Sequence, residues 1–251
     1  MPPTAYRIVT LPKLDEEACG NDSEALSLAY TFRDFRLLAL KTAPAAFAAS
    51  YHEERQRSLD QTIERLTNIK ATHFVALSCG DSDSSADAAV YEATVEHLLS
   101  NDWHGTIVIL GPQNESSEPV TARTDPFAAM TVATTEGPGT TPQEQSKLHY
   151  HLSGMFVVPT ARGSGLGRRL IEVALGKAKA DGQRLERDGV CTIIVDEWNE
   201  DARRLYEKCG FAVVSKETYV QRPRGLIQGE SQSEEHVALR MEYRFSYEGA
   251  A

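Results

Sequence analysis

A glycine-rich turn is the part of the sequence whose residue types are best suited to binding an anion. Gly163, Gly165 and Gly167 alternate with Ser164 and Leu166, directly after an apolar run and before a helical pattern. Glycine lets a ligand approach the backbone closely, and the free N–H groups and dipole at the start of a helix favour negative charge. The turn therefore predicts a phosphate site, and its extent suits a pyrophosphate.

Two arginines flank this turn, and the spacing of its glycines does not match either of two common nucleotide-binding motifs. Arg162 and Arg168 could add charge-assisted contacts to phosphate. G-x-G-x-x-G does not fit, because its third glycine would fall on Arg168 when counted from Gly163 and on Leu170 when counted from Gly165, and G-x-x-x-x-G-K-[ST] does not occur in the sequence. A glycine turn that only joins a strand to a helix is the structural alternative for the motif taken alone.

Residues 157–167 resemble the acetyl-CoA signature of the GNAT superfamily of N-acetyltransferases, R/Q-x-x-G-x-G/A directly after a strand. Arg162, Gly165 and Gly167 fill its three defined positions. The resemblance implies that the turn amides hold the pyrophosphate of acetyl-CoA. It also implies that the backbone of the preceding strand, Met155 to Val157, pairs with the pantetheine arm.

Residues 199–211 are similar to a second block of the same family, N-x-x-A-x-x-x-Y-x-x-x-G-F. Asn199, Ala202 and Tyr206 fall at i, i+3 and i+7, along one face of a predicted helix. The resemblance places Asn199 near the CoA arm and Tyr206 near its sulfur, where the phenol would be the general acid. Packing of Tyr206 between helix and sheet is the structural alternative. The cofactor-binding residues implied by the two blocks are Met155, Phe156, Val157, Arg162, Gly163, Ser164, Gly165, Leu166, Gly167, Arg168 and Asn199.

Acetyl transfer to an amine also needs a neutral amine and a polarised carbonyl. His151 is a candidate general base, since an unperturbed imidazole pKa of about 6.5 suits proton removal. Alternation along the predicted strand puts it on the same face as Val157. Asp196, Glu197 and ordered water are alternatives. The resemblance implies that a backbone N–H near Val157 donates to the carbonyl oxygen.

Hydrophobic periodicity predicts the elements that position these residues, and it indicates a single domain over residues 1–251. The predicted strands are 6–9, 72–78, 106–110, 148–158, 191–195, 212–219 and 237–245. The predicted helices are 23–41, 45–57, 59–68, 90–99, 166–181 and 199–209. The expected class is α/β, with a mixed, mostly antiparallel sheet flanked by helices as in the GNAT fold. Residues 80–103 and 111–147 are expected to be inserted or mobile segments, and residues 32–47 resemble the family's opening helix and turn.

Composition restricts the partners. A formal net charge of -10 argues against nucleic acid, which needs clustered Lys and Arg, and no apolar run approaches the roughly 18 residues of a membrane span. The four cysteines show no metal-ligand spacing, so no metal is expected. Cys191 and Cys209 have no His and acid pattern beside them, which favours direct transfer in a ternary complex over an acetyl-cysteine.

The sequence thus predicts a cytoplasmic N-acetyltransferase, with the nucleus as an alternative location. Its co-substrate would be acetyl-CoA, and its acceptor a primary amine on a small molecule or a protein. Family analogy adds the possibility of a homodimer. The alternative function is a non-catalytic module that binds acyl-CoA or regulates a partner with the same fold.

Overall fold

Seven β-strands form one sheet. They are β1 Tyr6–Thr10, β2 Ala71–Ser78, β3 Trp103–Gln113, β4 Leu148–Val157, β5 Gly189–Asp196, β6 Ala212–Gln221 and β7 Glu234–Phe245. Their spatial order is β1-β2-β3-β4-β5-β7-β6. Only β4 and β5 pair in parallel, and the other neighbouring pairs are antiparallel. The predicted α/β class with a mostly antiparallel sheet is confirmed.

The computed structural model describes residues 5–14, 23–78, 90, 92–113, 120–121, 126–127, 147–221 and 234–247. Residues 80–89 and 91 of the expected inserted or mobile segment over 80–103 lie outside these ranges, as does most of the segment over 111–147. Cys19 and Cys79 also lie outside them.

Six α-helices within these ranges cover the two faces of the sheet. They are α1 Ser23–Thr42, α2 Tyr51–Gln56, α3 Leu59–Thr67, α4 Val95–Leu99, α5 Leu166–Leu185 and α6 Glu200–Lys208. The helix α5 lies across strands β1 to β5, and α6 packs beside it. On the opposite face α1 packs against α2, α3 and α4. None of the described helices combines the length and apolarity needed to cross a bilayer.

The apolar stripe of α5 explains why this helix covers the sheet. Leu170, Ala174 and Ala178 recur at helical spacing and are fully buried in one cluster with the inward side chains of β4 and β5. The hydroxyl of Tyr150 on β4 donates to the Oδ2 atom of Asp181 on α5 at 3.0 Å. This hydrogen bond fixes where α5 lies along β4.

The helix α1 buries its apolar face against the sheet. Phe32, Phe35 and Ala39 pack with the sheet residues Trp103 and Phe156 in a second hydrophobic cluster. The ring of Phe35 lies 5.6 Å from that of Trp103 and 5.7 Å from that of Phe156, measured between centroids. Aromatic contacts thus join α1 to the strands that carry the candidate site.

Two predicted helices are shorter in the structure because capping residues begin them later. In place of a helix over residues 45–57, a 3₁₀ turn at Pro44–Ala46 is followed by α2, whose N-cap Ser50 accepts from the Glu53 amide at 3.1 Å. In place of a helix over residues 90–99, α4 begins after its N-cap Thr94.

Candidate active site

The strands β4 and β5 separate partway along their length. They pair over four residues, from Leu148 with Gly189 to His151 with Thr192. Beyond that point β4 continues to pair with β3, and β5 continues with β7. Residues 152–157 of β4 therefore turn one backbone edge toward a gap, called here the β4–β5 cleft. Such an edge offers N–H and C=O groups to an extended ligand.

His151 closes the narrow end of the β4–β5 cleft. The Thr192 hydroxyl donates to the Tyr150 carbonyl at 3.0 Å, so it accepts from Nδ1 of His151, also at 3.0 Å. His151 is 4% exposed, and its burial, together with the charge of Arg240, lowers the pKa of its imidazole to about 3. The ring is therefore neutral at physiological pH and is a weak base.

A β-bulge at Gly154 shapes the far part of β4. Thr106 of β3 faces Phe156 and Val108 faces Ser153, so β4 holds one extra residue between these pairs, and Gly154 has a φ of 60°. The extra residue reverses the alternation that the sequence predicts. Phe156 joins the cluster under α1.

Val157 is consequently on the opposite face of the sheet, in the cluster under α5. The imidazole of His151 contacts the hydroxyl of Thr192 on β5. The neighbours of Thr192 along this strand, Cys191 and Ile193, belong to the cluster under α5, so the side chain of Thr192 lies on the other face of the sheet. The prediction that His151 and Val157 share a face is therefore wrong, because it assumed an unbroken strand.

The glycine turn lies at the start of α5 and is open above its backbone. Gly163 and Gly165 have φ values of 77° and 81°, which favour glycine, and a Cβ placed on either would meet no atom within 4 Å. Gly165 is the N-cap of α5. A Cβ on Gly167 would instead lie 2.9 Å from Cε of Met155, so this glycine allows close packing of α5 on β4. The first two glycines thus leave the backbone accessible to a ligand, and the third allows α5 to pack closely on β4.

Polar side chains hold this turn in place. The Arg162 Nε atom donates to the Val157 carbonyl at 3.1 Å, and the Ser164 hydroxyl donates to the Ala161 carbonyl at 2.8 Å. Arg168 is exposed and pairs with Glu172 at 2.7 Å. The side chains of Arg162 and Ser164 therefore organise the backbone of the turn.

The helix α6 carries Asn199 and Tyr206 toward the same side of the sheet as α5. The Asn199 Oδ1 atom accepts from the Ala202 amide at 3.2 Å and caps the helix. Tyr206 is 4% exposed, its ring lies edge-on to Phe211 at 5.5 Å, and burial raises the pKa of its phenol. Among the described residues none accepts a hydrogen bond from the Tyr206 hydroxyl. A protonated phenol with no acceptor among the described residues is suited to donate to a ligand.

The two acidic alternatives for the base lie at the end of β5 and have partners. The Tyr219 hydroxyl donates to Oδ1 of Asp196, and Lys216 forms an ion pair with Glu197. Within the described ranges no group of three or more His, Cys, Asp and Glu side chains is placed to hold a metal ion.

A second cavity, called here the aromatic pocket, lies on the α1 face of the sheet and is partly open to solvent. Four phenylalanines line it, namely Phe32, Phe35, Phe47 and Phe127. Thr106 of β3 and Gly154 of β4 lie on its sheet side, so the pocket adjoins the strand segment that borders the β4–β5 cleft. Arg36 and Arg65 are its charged lining residues.

The sequence does not identify either arginine as a site residue. Arg36 follows Phe35 on a helix, where an arginine is ordinarily solvated. The one signal available was the sequence similarity of residues 32–47 to the family's opening helix. That similarity does not predict the charge of this region.

A buried histidine, His73, packs against two of the phenylalanine rings that line the aromatic pocket. The His73 ring packs 5.1 Å from Phe32 and 6.1 Å from Phe127, and its Nε2 atom donates to the Arg65 carbonyl at 3.0 Å. Burial lowers the pKa of the His73 imidazole to about 4, with the hydrogen bond to Arg65 opposing this shift. The ring is therefore neutral in the folded protein near pH 7.

This histidine predicts a loss of stability in mild acid. The unfolded imidazole takes up a proton below its ordinary pKa of about 6.5, whereas the folded one does so only near pH 4. Stability is therefore lost as the pH falls through this window. Between pH 7 and pH 5 we expect His73 to lower the free energy of unfolding by about 2 kcal/mol. Urea denaturation at both pH values measures it.

The matched variants for this test are His73→Gln and His52→Gln. Glutamine keeps a donor for the Arg65 carbonyl but does not titrate, so His73→Gln should reduce the pH dependence by about 2 kcal/mol. His52 is exposed, and its replacement should leave the dependence unchanged. Equal pH dependence in His73→Gln and the wild type would contradict the assignment.

Comparison with known proteins gives a family match. Residues 111–211 match the model of the acetyltransferase (GNAT) family. This range includes β4, the glycine turn, α5, β5 and α6. No curated protein sequence matches the chain significantly.

Solved structures resemble the chain at low sequence identity. NAA60 from Arabidopsis thaliana in complex with acetyl-CoA is 13% identical, with 95% of this chain and 97% of that chain covered and a TM-score of 0.47. Spermidine N-acetyltransferase from Vibrio cholerae in complex with CoA and spermine is 12% identical, with 96% and 95% covered and a TM-score of 0.48. A GCN5-related N-acetyltransferase from Kribbella flavida is 15% identical, with 96% and 98% covered and a TM-score of 0.49. At these values the likeness does not extend to substrate or mechanism.

Proposed function

Residues 111–211 match the model of the acetyltransferase (GNAT) family, and from this match we propose that the chain is a single-domain N-acetyltransferase that moves an acetyl group from acetyl-CoA to a primary amine. The observation that carries the proposal is the β4–β5 cleft beside an open glycine turn at the start of α5. The β4–β5 cleft suits the extended arm of the cofactor, and the glycine turn suits its phosphates. The two adjoin because the turn follows β4 along the chain.

The residues present fit acetyl-CoA. Gly163 and Gly165 leave space for an anion directly over backbone N–H groups, and α5 adds the positive end of its dipole. Residues 155–157 of β4 would pair with the pantetheine arm through their free edge. Because Arg162 and Ser164 support the turn from within, we assign the phosphate contacts to backbone amides, with Arg168 as the outer cation.

The bound thioester would supply an activated acetyl group. A backbone N–H of β4 near Val157 would donate to its carbonyl oxygen and stabilise the negative charge that develops there. Tyr206 would give its proton to the departing sulfur, since burial keeps the phenol protonated and no described residue holds its hydroxyl. Asn199 would shape the cleft from the start of α6, where its side chain caps the helix.

Proton removal from the amine is assigned to ordered water. His151 would be a poor proton acceptor with an imidazole pKa of about 3, and its Nδ1 atom is engaged by Thr192. We therefore give His151 the role of holding the narrow end of the cleft. Asp196 is the acidic group nearest the end of β5 and could receive the proton through water, with Tyr219 fixing its orientation.

Direct transfer is the expected chemical route. Burial raises the pKa of the Cys191 thiol to about 12, and burial also raises the pKa of the Cys209 thiol. Thiols held in the protonated form are weak nucleophiles, so an acetyl-cysteine on either is disfavoured.

Intact-mass measurement tests this route. After incubation with acetyl-CoA and no acceptor, the protein should keep its unmodified mass. A stoichiometric acetyl adduct that an added amine removes would contradict direct transfer. Adducts on surface lysines that no amine removes would not count against it, and tryptic mapping identifies them.

A further inference from the structure

The lining of the aromatic pocket is apolar apart from two guanidinium groups and one hydroxyl. The side chains of Arg36 and Arg65 line it together with the phenylalanines, and no Asp or Glu is among its described lining residues. The guanidinium of Arg65 also lies 5.2 Å from the centre of the Phe127 ring. The pocket therefore presents positive charge on an aromatic wall.

Both arginines are held by one buried carboxylate. Glu54 of α2 is 3% exposed. Arg36 donates to its two oxygens from Nε at 2.7 Å and Nη2 at 3.2 Å, and Arg65 donates from Nη1 at 2.8 Å. Burial alone would raise the pKa of Glu54, but the hydrogen bond and charge of Arg36, with the charges of Arg65 and Arg57, hold that pKa below its usual range.

The cluster carries more positive than negative charge. Arg57 also lies near Glu54, at 3.6 Å, so three guanidiniums surround one carboxylate. Glu54 engages Nε and Nη2 of Arg36, while Nη1 bonds to no residue that the structure describes. Arg36 can therefore receive an anion in the pocket without leaving Glu54, and its side chain is already fixed for that contact.

The end of the pocket away from Arg36 lies beside β4, where the amine would react. Gly154 lines it and belongs to the part of β4 that has separated from β5. A molecule that fills the pocket can therefore reach from Arg36 to the border of the β4–β5 cleft.

We infer that the acceptor is an amino acid-like molecule, in which an apolar or aromatic body joins the primary amine to a carboxylate that Arg36 binds. This inference rests on the proposed function, since the amine is the group to be acetylated. The aromatic rings would contact the body of the acceptor. A polyamine would place a second cation against two guanidiniums, so the pocket disfavours it.

Ligand-observed NMR with the full-length protein tests the binding part without relying on turnover. The probes are phenylalanine, its neutral amide and phenethylamine, which share the ring and the amine and differ at the carboxylate. A second set is ε-aminocaproate, its amide and spermidine. At least one amino acid should bind wild type about 10- to 100-fold more tightly than its amide.

Arg36→Gln should abolish that preference, and Arg33→Gln is the matched control. Arg33 lies on the same helix, carries the same charge, bonds to backbone carbonyls of α2 and its end, and does not line the pocket. Acetyl-CoA affinity should stay unchanged in both variants, which also shows that they are folded. If Arg36→Gln does not fold, the wild-type comparison of acid against amide decides alone.

Three results of the binding experiment overturn the inference. Neither amino acid binds, the amides or amines bind as tightly as the acids, or Arg33→Gln removes the preference as fully as Arg36→Gln. Failure of the proposed function would give a different result, in which an amino acid binds through Arg36 but is not acetylated. Turnover of spermidine but of no amino acid would uphold the function and reject the acceptor class.

Discussion

Gly165→Glu is expected to abolish acetyl-CoA binding, with an affinity loss of at least about 100-fold. Gly165 has a φ of 81° and open space where a side chain would project, directly over the start of α5. A glutamate there would occupy the proposed phosphate site with a like charge, a repulsion of about 4 kcal/mol at contact distance near a protein surface. Isothermal titration calorimetry measures the loss.

Gly176→Glu is the matched control for this change. Gly176 lies on the same helix and is exposed, and a Cβ placed on it would meet no atom within 4 Å, so the same charge is added away from the turn. Gly165→Ala separates backbone strain from charge, since it introduces a side chain at positive φ without the carboxylate. Equal acetyl-CoA affinity in Gly165→Glu and Gly176→Glu would contradict the site.

Tyr206→Phe is expected to lower kcat by about 100-fold while acetyl-CoA affinity is retained. The variant removes the hydroxyl that would protonate the departing sulfur, and it keeps the ring that packs on Phe211. No described residue loses a hydrogen bond, so stability should change little. Steady-state rates with calorimetry on the same preparation separate kcat from binding.

Tyr243→Phe controls for the loss of a tyrosine hydroxyl in the same cluster. Tyr243 also packs on Phe211, at 5.7 Å, but from β7. Its replacement should leave kcat unchanged. A kcat for Tyr206→Phe within the range of Tyr243→Phe would remove the general-acid role and leave packing as the function of Tyr206.

The elements around the two sequence blocks are predictable because their signals are local. The three glycines fix the turn, and the stripe Leu170, Ala174 and Ala178 fixes the buried face of α5. Asn199, the first residue of the predicted helix over 199–209, caps α6. In these cases neighbouring residues determine the conformation, and no distant contact is needed.

The far half of β4 was predicted wrongly for a physical reason. Alternation of side chains assumes one residue on each strand at every pair, and the bulge at Gly154 breaks that count. A glycine inside a strand pattern is a recognised signal for a bulge, and Gly154 is such a glycine. The position of the bulge also decides which side chains border the aromatic pocket.

The charge of the aromatic pocket could not be predicted from the sequence. Glu54 lies 18 residues from Arg36 and 11 from Arg65, on three different helices. Each of the three looks like an ordinary surface charge in its own helix. Only the packing of α1, α2 and α3 reveals that the carboxylate is buried and that both guanidiniums face one cavity.

Acceptor-dependent release of CoA is the measurement that tests the central claim most directly. Wild-type protein is incubated with acetyl-CoA and single primary amines, and the free thiol and the mass of each acceptor are measured. The account predicts that thiol appears only when an acceptor is present, in equal amount to the acetylated amine. A folded protein that binds acetyl-CoA but transfers it to no amino acid, amine, polyamine or peptide would contradict the account and identify a non-catalytic acyl-CoA-binding module.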